Sequence, residues 1–211
     1  MYLVALFHLR FSFMSSDSRF SAALAQFDAA NAEDPHQETD ADGRVWPKEL
    51  LYGQRMSDCL ARVAPDAPEA VQLAARCQHI RRWTIPRHDF PMDRPGYHQW
   101  RNTLKKFHAT LAGEILTGVG YDQATIKRVQ ALLQKQQLAH DADVQLLEDV
   151  ICLVFLEYYF LDFAQQHPEE KVIDIVQKTW KKMTSNGHQL ALQLPLPAPA
   201  HALVAKALGA A

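Results

Sequence analysis

Apolar side chains recur at helical spacing along most of the chain, while the alternation typical of a half-buried strand appears nowhere. The first helix is predicted over residues 17–32, because Asp17 can cap its start. Phe20, Leu24 and Phe27 then share one face of it. The same pattern predicts six further helices, at residues 47–63, 68–83, 97–117, 122–137, 141–163 and 169–185. We therefore predict an all-α, single-domain bundle with at most two short strands.

The predicted helix over residues 141–163 is the most apolar of the set. Between Val150 and Leu161 it is apolar on every face except at Glu157, and a helix tolerates this only when neighbours cover it on all sides. We expect this helix at the centre of the bundle. Its apolar run is far shorter than the ~20 residues that cross a bilayer, so no membrane span is predicted.

The predicted domain borders follow from the loops, rich in turn-forming residues, and from the composition of the chain ends. Glu33–Pro47 and Thr84–Gly96 are predicted loops, the second dense in Pro, Arg, His and Asp. The helical domain is predicted over residues 17–193, with Asn186-Gly187 capping its last helix. Residues 194–211 form a Pro/Ala-rich tail with a short helix. Because Met14 precedes a capping sequence, residues 1–16 are predicted to be a mis-called or disordered extension.

The composition is that of an ordinary globular protein, with 48% hydrophobic and 22% charged residues. The net charge of −2 gives no overall attraction to nucleic acid or to a membrane. The three cysteines, Cys59, Cys77 and Cys152, match neither a disulfide framework nor a metal knuckle. They indicate a reducing, cytoplasmic location.

Positive charge is concentrated between residues 76 and 106. This segment holds only two acidic residues and eight basic ones, namely Arg76, Arg81, Arg82, Arg87, Arg94, Arg101, Lys105 and Lys106. Guanidinium groups match phosphate or carboxylate in a bidentate manner, so we predict that Arg82, Arg87 and Arg101 converge on a positive pocket. The alternative is a solvated basic face with structural Arg–Asp pairs.

Two histidines and two acidic residues on predicted helices suggest a metal site. His79 and His108 lie within helical patterns, and Glu148-Asp149 lies at the polar mouth of the central helix. Two imidazoles and a carboxylate from three helices can hold a divalent cation in a bundle core. The alternative is that each histidine is a hydrogen-bonded core residue.

Two segments resemble the HD-domain phosphohydrolases. Ala74-Ala75-Arg76-Cys77-Gln78-His79-Ile80 is similar to their His-Asp helix, and Leu147-Glu148-Asp149-Val150-Ile151-Cys152-Leu153 is similar to their later Asp-bearing helix. The resemblance implies a helical fold, a divalent metal (Mn, Fe, Zn or Mg) and hydrolysis of a phosphate ester. The pattern departs where Gln78-His79 replaces the His-Asp pair, and an upstream histidine is missing from the helix with Glu49 and Tyr52.

Nearly the whole chain, from Phe20 to Leu194, resembles a family termed domain of unknown function 4202. The motifs that carry this resemblance are Phe27-Asp28-Ala29-Ala30-Asn31, Glu49-Leu50-Leu51-Tyr52, Gln78-His79-Ile80-Arg81-Arg82-Trp83, Ile85-Pro86-Arg87, Trp100-Arg101, Phe107-His108, Leu147-Glu148-Asp149 and Lys178-Thr179-Trp180. Family members are sometimes labelled glutamyl-tRNA synthetase. We predict that this chain lacks that activity, because its signatures work on a parallel sheet that the pattern does not contain.

The first functional hypothesis is a metal-dependent phosphohydrolase. Its metal ligands would be His79, His108 and Asp149. Its catalytic residues would be Glu49, Gln78 and Glu148. Its phosphate-binding residues would be Arg82, Arg87 and Arg101. The metal would lower the pKa of a bound water while the arginines stabilise the charge on the phosphate; iron-dependent oxygenation on the same ligands is a related alternative.

The second hypothesis is a non-catalytic HD-like module that binds a partner through the same basic cleft. That partner would be a small phosphorylated ligand, a nucleotide, RNA or a protein. Trp83, Tyr97 and Trp100 lie among the arginines and suit base stacking, although ordinary packing under the proline-rich loop also accounts for them.

Overall fold

Helices form in all seven of the predicted segments. The computed structural model describes residues 16–209. Its helices are α1 (Ser16–Ala32), α2 (Lys48–Val63), α3 (Glu69–Arg76), α4 (Arg94–Val119), α5 (Gln123–Leu133), α6 (Ala142–Val154), α7 (Phe160–Gln165), α8 (Glu169–Trp180), α9 (Ser185–Leu192) and α10 (Ala198–Ala207). Within this range the strands are limited to one short pair, so the prediction of an all-α bundle is confirmed.

The most apolar segment lies inside the bundle. A π-helical turn, Phe155–Tyr159, joins α6 and α7 into one continuous helix over residues 142–165. α6 packs against α2, α3, α5 and α9. Leu147, Val150 and Leu153 are each at most 1% exposed. This burial agrees with the central position predicted from hydrophobicity on all faces of the helix.

The predicted loop after α1 contains a short antiparallel hairpin of β1 (Gln37–Thr39) and β2 (Val45–Pro47). Its turn depends on Asp40, whose carboxylate accepts hydrogen bonds from the Arg44 N–H and the Trp46 indole N–H. Strands of three residues are too short to show an alternation in the sequence, whereas the Asp-rich turn is visible there.

The third helix is shorter than the predicted span of residues 68–83, since α3 ends at Arg76. Residues 77–81 form hydrogen-bonded turns, and Arg81 takes a left-handed backbone conformation with φ +49°. A non-glycine residue in this region is strained unless its surroundings hold it there. The consequence is that Gln78, His79 and Arg82 lie in a connector rather than on a helix face.

The C-terminal segment differs from its prediction at one turn. Asn186-Gly187 does not close a helix; these residues lie in the first turn of α9, which Thr184 caps by accepting a hydrogen bond from the Gly187 N–H. The Ala-rich helix predicted in the tail is α10, which packs against α8 and α7 and buries Ala200 and Val204.

Two predictions concern the chain ends and the membrane. The predicted N-terminal extension, residues 1–16, lies almost entirely outside the described residues. Among the helices of residues 16–209, none has both the length and the hydrophobicity needed to cross a bilayer.

Candidate functional site

One asparagine joins the two backbone segments that carry the site. Asn31, at the end of α1, is 2% exposed. Its Nδ2 donates to the Glu49 carbonyl oxygen at 3.3 Å, and its Oδ1 accepts the Arg81 N–H at 2.9 Å. The start of α2 and the connector after α3 are therefore held against each other. Asp34 adds to this arrangement, because its carboxylate accepts the Glu49 N–H at 3.0 Å.

The side chains on these two segments form a layered contact. The His79 ring stacks on the Tyr52 ring, with centroids 4.1 Å apart and planes inclined by 12°. Nδ1 of His79 lies 3.4 Å from Oε2 of Glu49. Nε2 of His79 lies 3.3 Å from Nη1 of Arg82. Because a guanidinium only donates, Nε2 accepts and the His79 ring is neutral, with its proton on Nδ1 facing Glu49.

The environment of this layer shifts its acid–base groups towards neutrality. Burial raises the pKa of Glu49 to about 7, against the partial opposition of Arg82. Burial, and then the positive charges of Arg82 and Arg101, hold the pKa of His79 well below its ordinary value. At neutral pH His79 is therefore uncharged, and Glu49 is only partly ionised, so Glu49 opposes the arginines with less than a full negative charge.

His108 completes the floor of the site from α4. Its ring centroid lies 6.0 Å from that of His79. Nδ1 donates a hydrogen bond to the Ile80 carbonyl oxygen at 2.8 Å, so Nε2 carries the lone pair. Nε2 is buried and has no hydrogen-bond partner among the described residues. Burial, and then His79, lower the pKa of His108 to about 3, which leaves a neutral imidazole with one unused acceptor.

Two arginines supply the positive charge. The Arg82 guanidinium lies over the Trp100 ring at 4.8 Å, and its Nε is 4.0 Å from Oε1 of Glu49. Arg101, one residue further along α4, interacts electrostatically with His79, His108 and Arg82. Arg101 is half-buried and makes no hydrogen bond or ion pair with any residue that the structure describes. We call the group Glu49, Tyr52, His79, Arg82, Arg101 and His108 the arginine site.

The third predicted phosphate ligand, Arg87, has a different role. Its guanidinium donates to the carbonyl oxygens of Phe90 and Asp93 at 3.0 and 3.3 Å, which stabilises the proline-rich connector. The structure thus brings Arg82 and Arg101 to His79 but engages Arg87 with backbone. Two other arginines of the basic segment are paired with acidic residues near α1, namely Arg76 with Asp28 and Arg81 with Glu33.

The predicted stacking aromatics have mixed environments. Trp100 is 9% exposed and its indole N–H donates to the Ile85 carbonyl oxygen at 2.9 Å, so it anchors the connector onto α4. Trp83 is half-buried near Arg81. Tyr97 is 43% exposed and lies 5.9 Å from Trp100. Tyr97 is therefore the one of the three that presents a large accessible face at the rim.

Next to the arginine site is a second group of charges around Glu148, a buried residue of α6. Lys135 forms an ion pair with Glu148, and Nζ of Lys182 lies 4.0 Å from Oε1 of the same carboxylate. Lys105, one turn after Arg101 on α4, is within electrostatic range of Glu148. We call Lys105, Lys135, Lys182 and Glu148 the lysine cluster. Glu148, predicted to be catalytic, thus has lysine partners.

Asp149 lies apart from both groups. Its carboxylate accepts the N–H and the hydroxyl of Thr184 and lies 3.4 Å from the Gln145 amide nitrogen. A Cβ at Gly187 would come within 2.8 Å of this carboxylate, so glycine lets α9 approach it. Asp149 therefore fixes the start of α9 on α6.

The three-ligand metal site predicted from His79, His108 and Asp149 is not assembled. The two imidazoles meet, but Asp149 is bound to Thr184 instead. Over residues 16–209, no group of three His, Cys, Asp or Glu side chains is placed to hold a metal ion. The charges acting on His79 are also mainly positive, from Arg82, Arg101 and Lys135, and they oppose a bound cation. The donor set present does not fit the metal that the HD resemblance implies.

Some residues of the site are absent from the prediction. Asn31 and Asp34 act through backbone groups far along the chain, which no local spacing reveals. Lys135 has a left-handed backbone conformation with φ +56°. In the sequence it is one of several consecutive polar residues after α5, so nothing there distinguishes it. Gln78, predicted to be catalytic, is buried, and its Oε1 has no hydrogen-bond partner within the described part of the chain.

Comparison with known proteins identifies a family and no further relative. A family model described as domain of unknown function (DUF4202) matches residues 21–204, most of the chain. No curated protein and no solved structure matches the chain significantly.

Proposed function

We propose that this chain, which belongs to the DUF4202 family, binds a phosphate-bearing small molecule at the arginine site. In this proposal Arg82 and Arg101 hold the phosphate, and Nε2 of His108 accepts a hydrogen bond from a hydroxyl or amino group of the ligand. A cytoplasmic location is part of the proposal and is supported by three buried free thiols, Cys59, Cys77 and Cys152.

The observation that carries the proposal is the condition of Arg101. An arginine withdrawn from water normally has a carboxylate or carbonyl partner, because an unpaired buried charge is costly. Arg101 instead has neither among the described residues. Burial lowers the pKa of the Arg82 guanidinium, Glu49 opposes this, and the nearby positive charge of Arg101 lowers it further. Two guanidinium groups in such a position match the geometry and charge of one phosphate.

Two features favour binding over the metal-dependent hydrolysis that the sequence also suggests. The carboxylate needed as a third ligand, Asp149, is committed to Thr184. The positive charges near His79 and His108 favour an anion over a cation at this position.

The proposal is tested by isothermal titration of the purified chain with inorganic phosphate. We expect saturable binding at one site, and we expect Arg101→Met to weaken it about tenfold or more, as for a charge-assisted contact. Arg94→Met is the matched control. It removes the same charge from the same helix, at an exposed position. It should leave the affinity within about twofold, since exposed charges are screened.

Equal weakening by Arg101→Met and Arg94→Met would contradict the proposal, because the effect would then come from overall charge. A second measurement addresses hydrolysis. If the chain releases phosphate from a nucleotide only with added Mn²⁺, and His79→Ala abolishes both this release and metal binding, the metal-dependent hydrolase is the correct function.

A further inference from the structure

The lysine cluster carries more positive charge than its partner can balance. Lys105, Lys135 and Lys182 come from three different elements of the chain and surround one carboxylate, that of Glu148. Glu148 is 3% exposed, and the side chain of Lys135 is 12% exposed. Converging like charges repel each other, so the fold must hold them there at a cost.

Lys135 also has an uncommon backbone conformation. It follows the last turn of α5 with a left-handed φ of +56°, as does Gln137 two residues later, and residues other than glycine adopt this conformation rarely. Such outliers concentrate at ligand sites, where the surrounding structure keeps them in place. From this position the Lys135 ammonium group forms its ion pair with Glu148.

The cluster is continuous with the arginine site through α4. Arg101, Lys105 and His108 are spaced by four and three residues, so they share one face of the helix. One turn separates Arg101 from Lys105, a rise of about 6 Å. Lys105 makes no hydrogen bond or ion pair closer than 4 Å within residues 16–209. It is thus an unpaired ammonium group next to an unpaired guanidinium.

We infer that the ligand carries two anionic groups, one held by Arg82 and Arg101 and the other by Lys105 and Lys182. This inference rests on the proposed function, since it adds a second subsite to the first. The ligand class is a small molecule with two phosphates, or with a phosphate and a second anionic group about one helical turn away. Lys135 keeps Glu148 neutralised, so that this carboxylate does not repel the second group.

Inorganic tripolyphosphate and inorganic phosphate are the probes, because the first can reach both subsites and the second occupies one. Once one phosphate of tripolyphosphate is bound, another is held close to the second subsite at a high effective concentration. We therefore expect tripolyphosphate to bind about a hundredfold more tightly than phosphate. In Lys105→Gln and Lys182→Gln, tripolyphosphate affinity should fall about tenfold while phosphate affinity changes less than about twofold.

Lys106→Gln is the matched control, since Lys106 is exposed and adjacent to Lys105 but lies on a different face of α4. It should leave both affinities unchanged. If tripolyphosphate binds no better than phosphate, or if Lys106→Gln weakens it as much as Lys105→Gln, the second subsite is excluded while the first stands. If neither probe binds, the proposed function itself fails.

Discussion

Asp149 on α6 and Arg101 on α4 are both ionised groups drawn into the protein, and they differ in how their charge is satisfied. Asp149 is 5% exposed and bonded to Thr184 through both carboxylate oxygens. Arg101 is half-buried and has no acceptor within the described chain. Sequence patterns place both in the same functional set, although only one has capacity left to bind anything.

The difference shows that burial alone does not identify a ligand-binding residue. A buried charge with a complete set of hydrogen bonds is a structural element, because replacing its partners with a ligand would leave those partners unsatisfied. A buried charge or acceptor without partners is where an external group gains most. The half-buried Arg101 and Lys105 and the buried Nε2 of His108 have no partner within residues 16–209. The buried Asp149 and the half-buried Arg87 have theirs.

The largest effect should come from removing the satisfied charge. Asp149→Ala deletes the anchor of α9 and leaves the Thr184 N–H without a partner, so we expect the free energy of unfolding to fall by about 2–3 kcal/mol. Urea denaturation followed by circular dichroism measures this. Asp174→Ala, which removes an exposed carboxylate paired with Lys178, should change it by no more than about 0.5 kcal/mol. Phosphate affinity should be unchanged in the folded Asp149→Ala variant. A loss of affinity would mean that Asp149 belongs to the binding site.

Asn31 is an intermediate case. Its own side chain has hydrogen-bond partners, and it positions the segment that carries Arg82. Asn31→Ala should lower the free energy of unfolding by about 1–2 kcal/mol through two lost buried hydrogen bonds. It should also weaken phosphate binding, since Arg82 follows the Arg81 N–H that Asn31 holds. Asn102→Ala, at an exposed position of α4, is the control for both readouts. Stability that fell without any change in affinity would show that the connector keeps its position without Asn31.

Anion affinity can also be compared between the neutral and the ionised state of Glu49. With its pKa raised to about 7, Glu49 is mostly protonated at pH 6 and mostly ionised at pH 8. Ionisation adds a negative charge beside Arg82, so anion affinity should fall by several-fold to about tenfold as pH rises through this range. Sulfate is the suitable probe, because its charge does not change there.

Replacement of the titrating group identifies it. Glu49→Gln should give a flat profile near the affinity expected for the unsubstituted chain at pH 6. His108, with a pKa of about 3, stays neutral throughout, as does His79, whose pKa is well below its ordinary value. Arg82, Asp34, Lys48 and His36 are charged or titratable groups that also act on Glu49. A slope that persists in Glu49→Gln would show that Glu49 is not the group responsible.

The smallest effect expected is on the stability of the Arg101 variant. Because the Arg101 side chain has no partner among the described residues, Arg101→Met should change the free energy of unfolding by no more than about 0.5 kcal/mol, although we expect it to weaken phosphate binding. Denaturation of this variant alongside Asp149→Ala gives the comparison directly. A loss similar to that of Asp149→Ala would mean that Arg101 is a structural residue.

Much of the fold follows from the sequence, because each helix presents its own apolar stripe and its own caps. Asp122 and Asp141 cap α5 and α6, and Gly120 closes α4 with a left-handed conformation. The exception with the largest consequence is α3. Its pattern continues past Arg76, but the helix ends there, and the Arg81 N–H donates to Asn31, fifty residues earlier, instead of to a helical carbonyl. A pattern confined to a short window does not contain that contact.

The site was predictable in part for the same reason. The concentration of basic residues between Arg76 and Lys106 correctly indicated where positive charge gathers, and Arg82, Arg101, His79 and His108 do meet. What spacing does not show is which charges are already paired. Asp28, Glu33 and the carbonyls of the proline-rich connector remove Arg76, Arg81 and Arg87 from the set, and Thr184 does the same for Asp149.

The two hydrogen bonds of Asn31 also set an order of events during folding. They join α1 to residues 18 and 50 positions further along. The first bond needs the hairpin loop to close, and the second also needs α2 and α3 to have come together with α1. Contacts between distant residues carry a larger loop-closure cost than the turns of a single helix. On dilution from denaturant, helical circular dichroism should therefore return before the chain regains its capacity to bind phosphate.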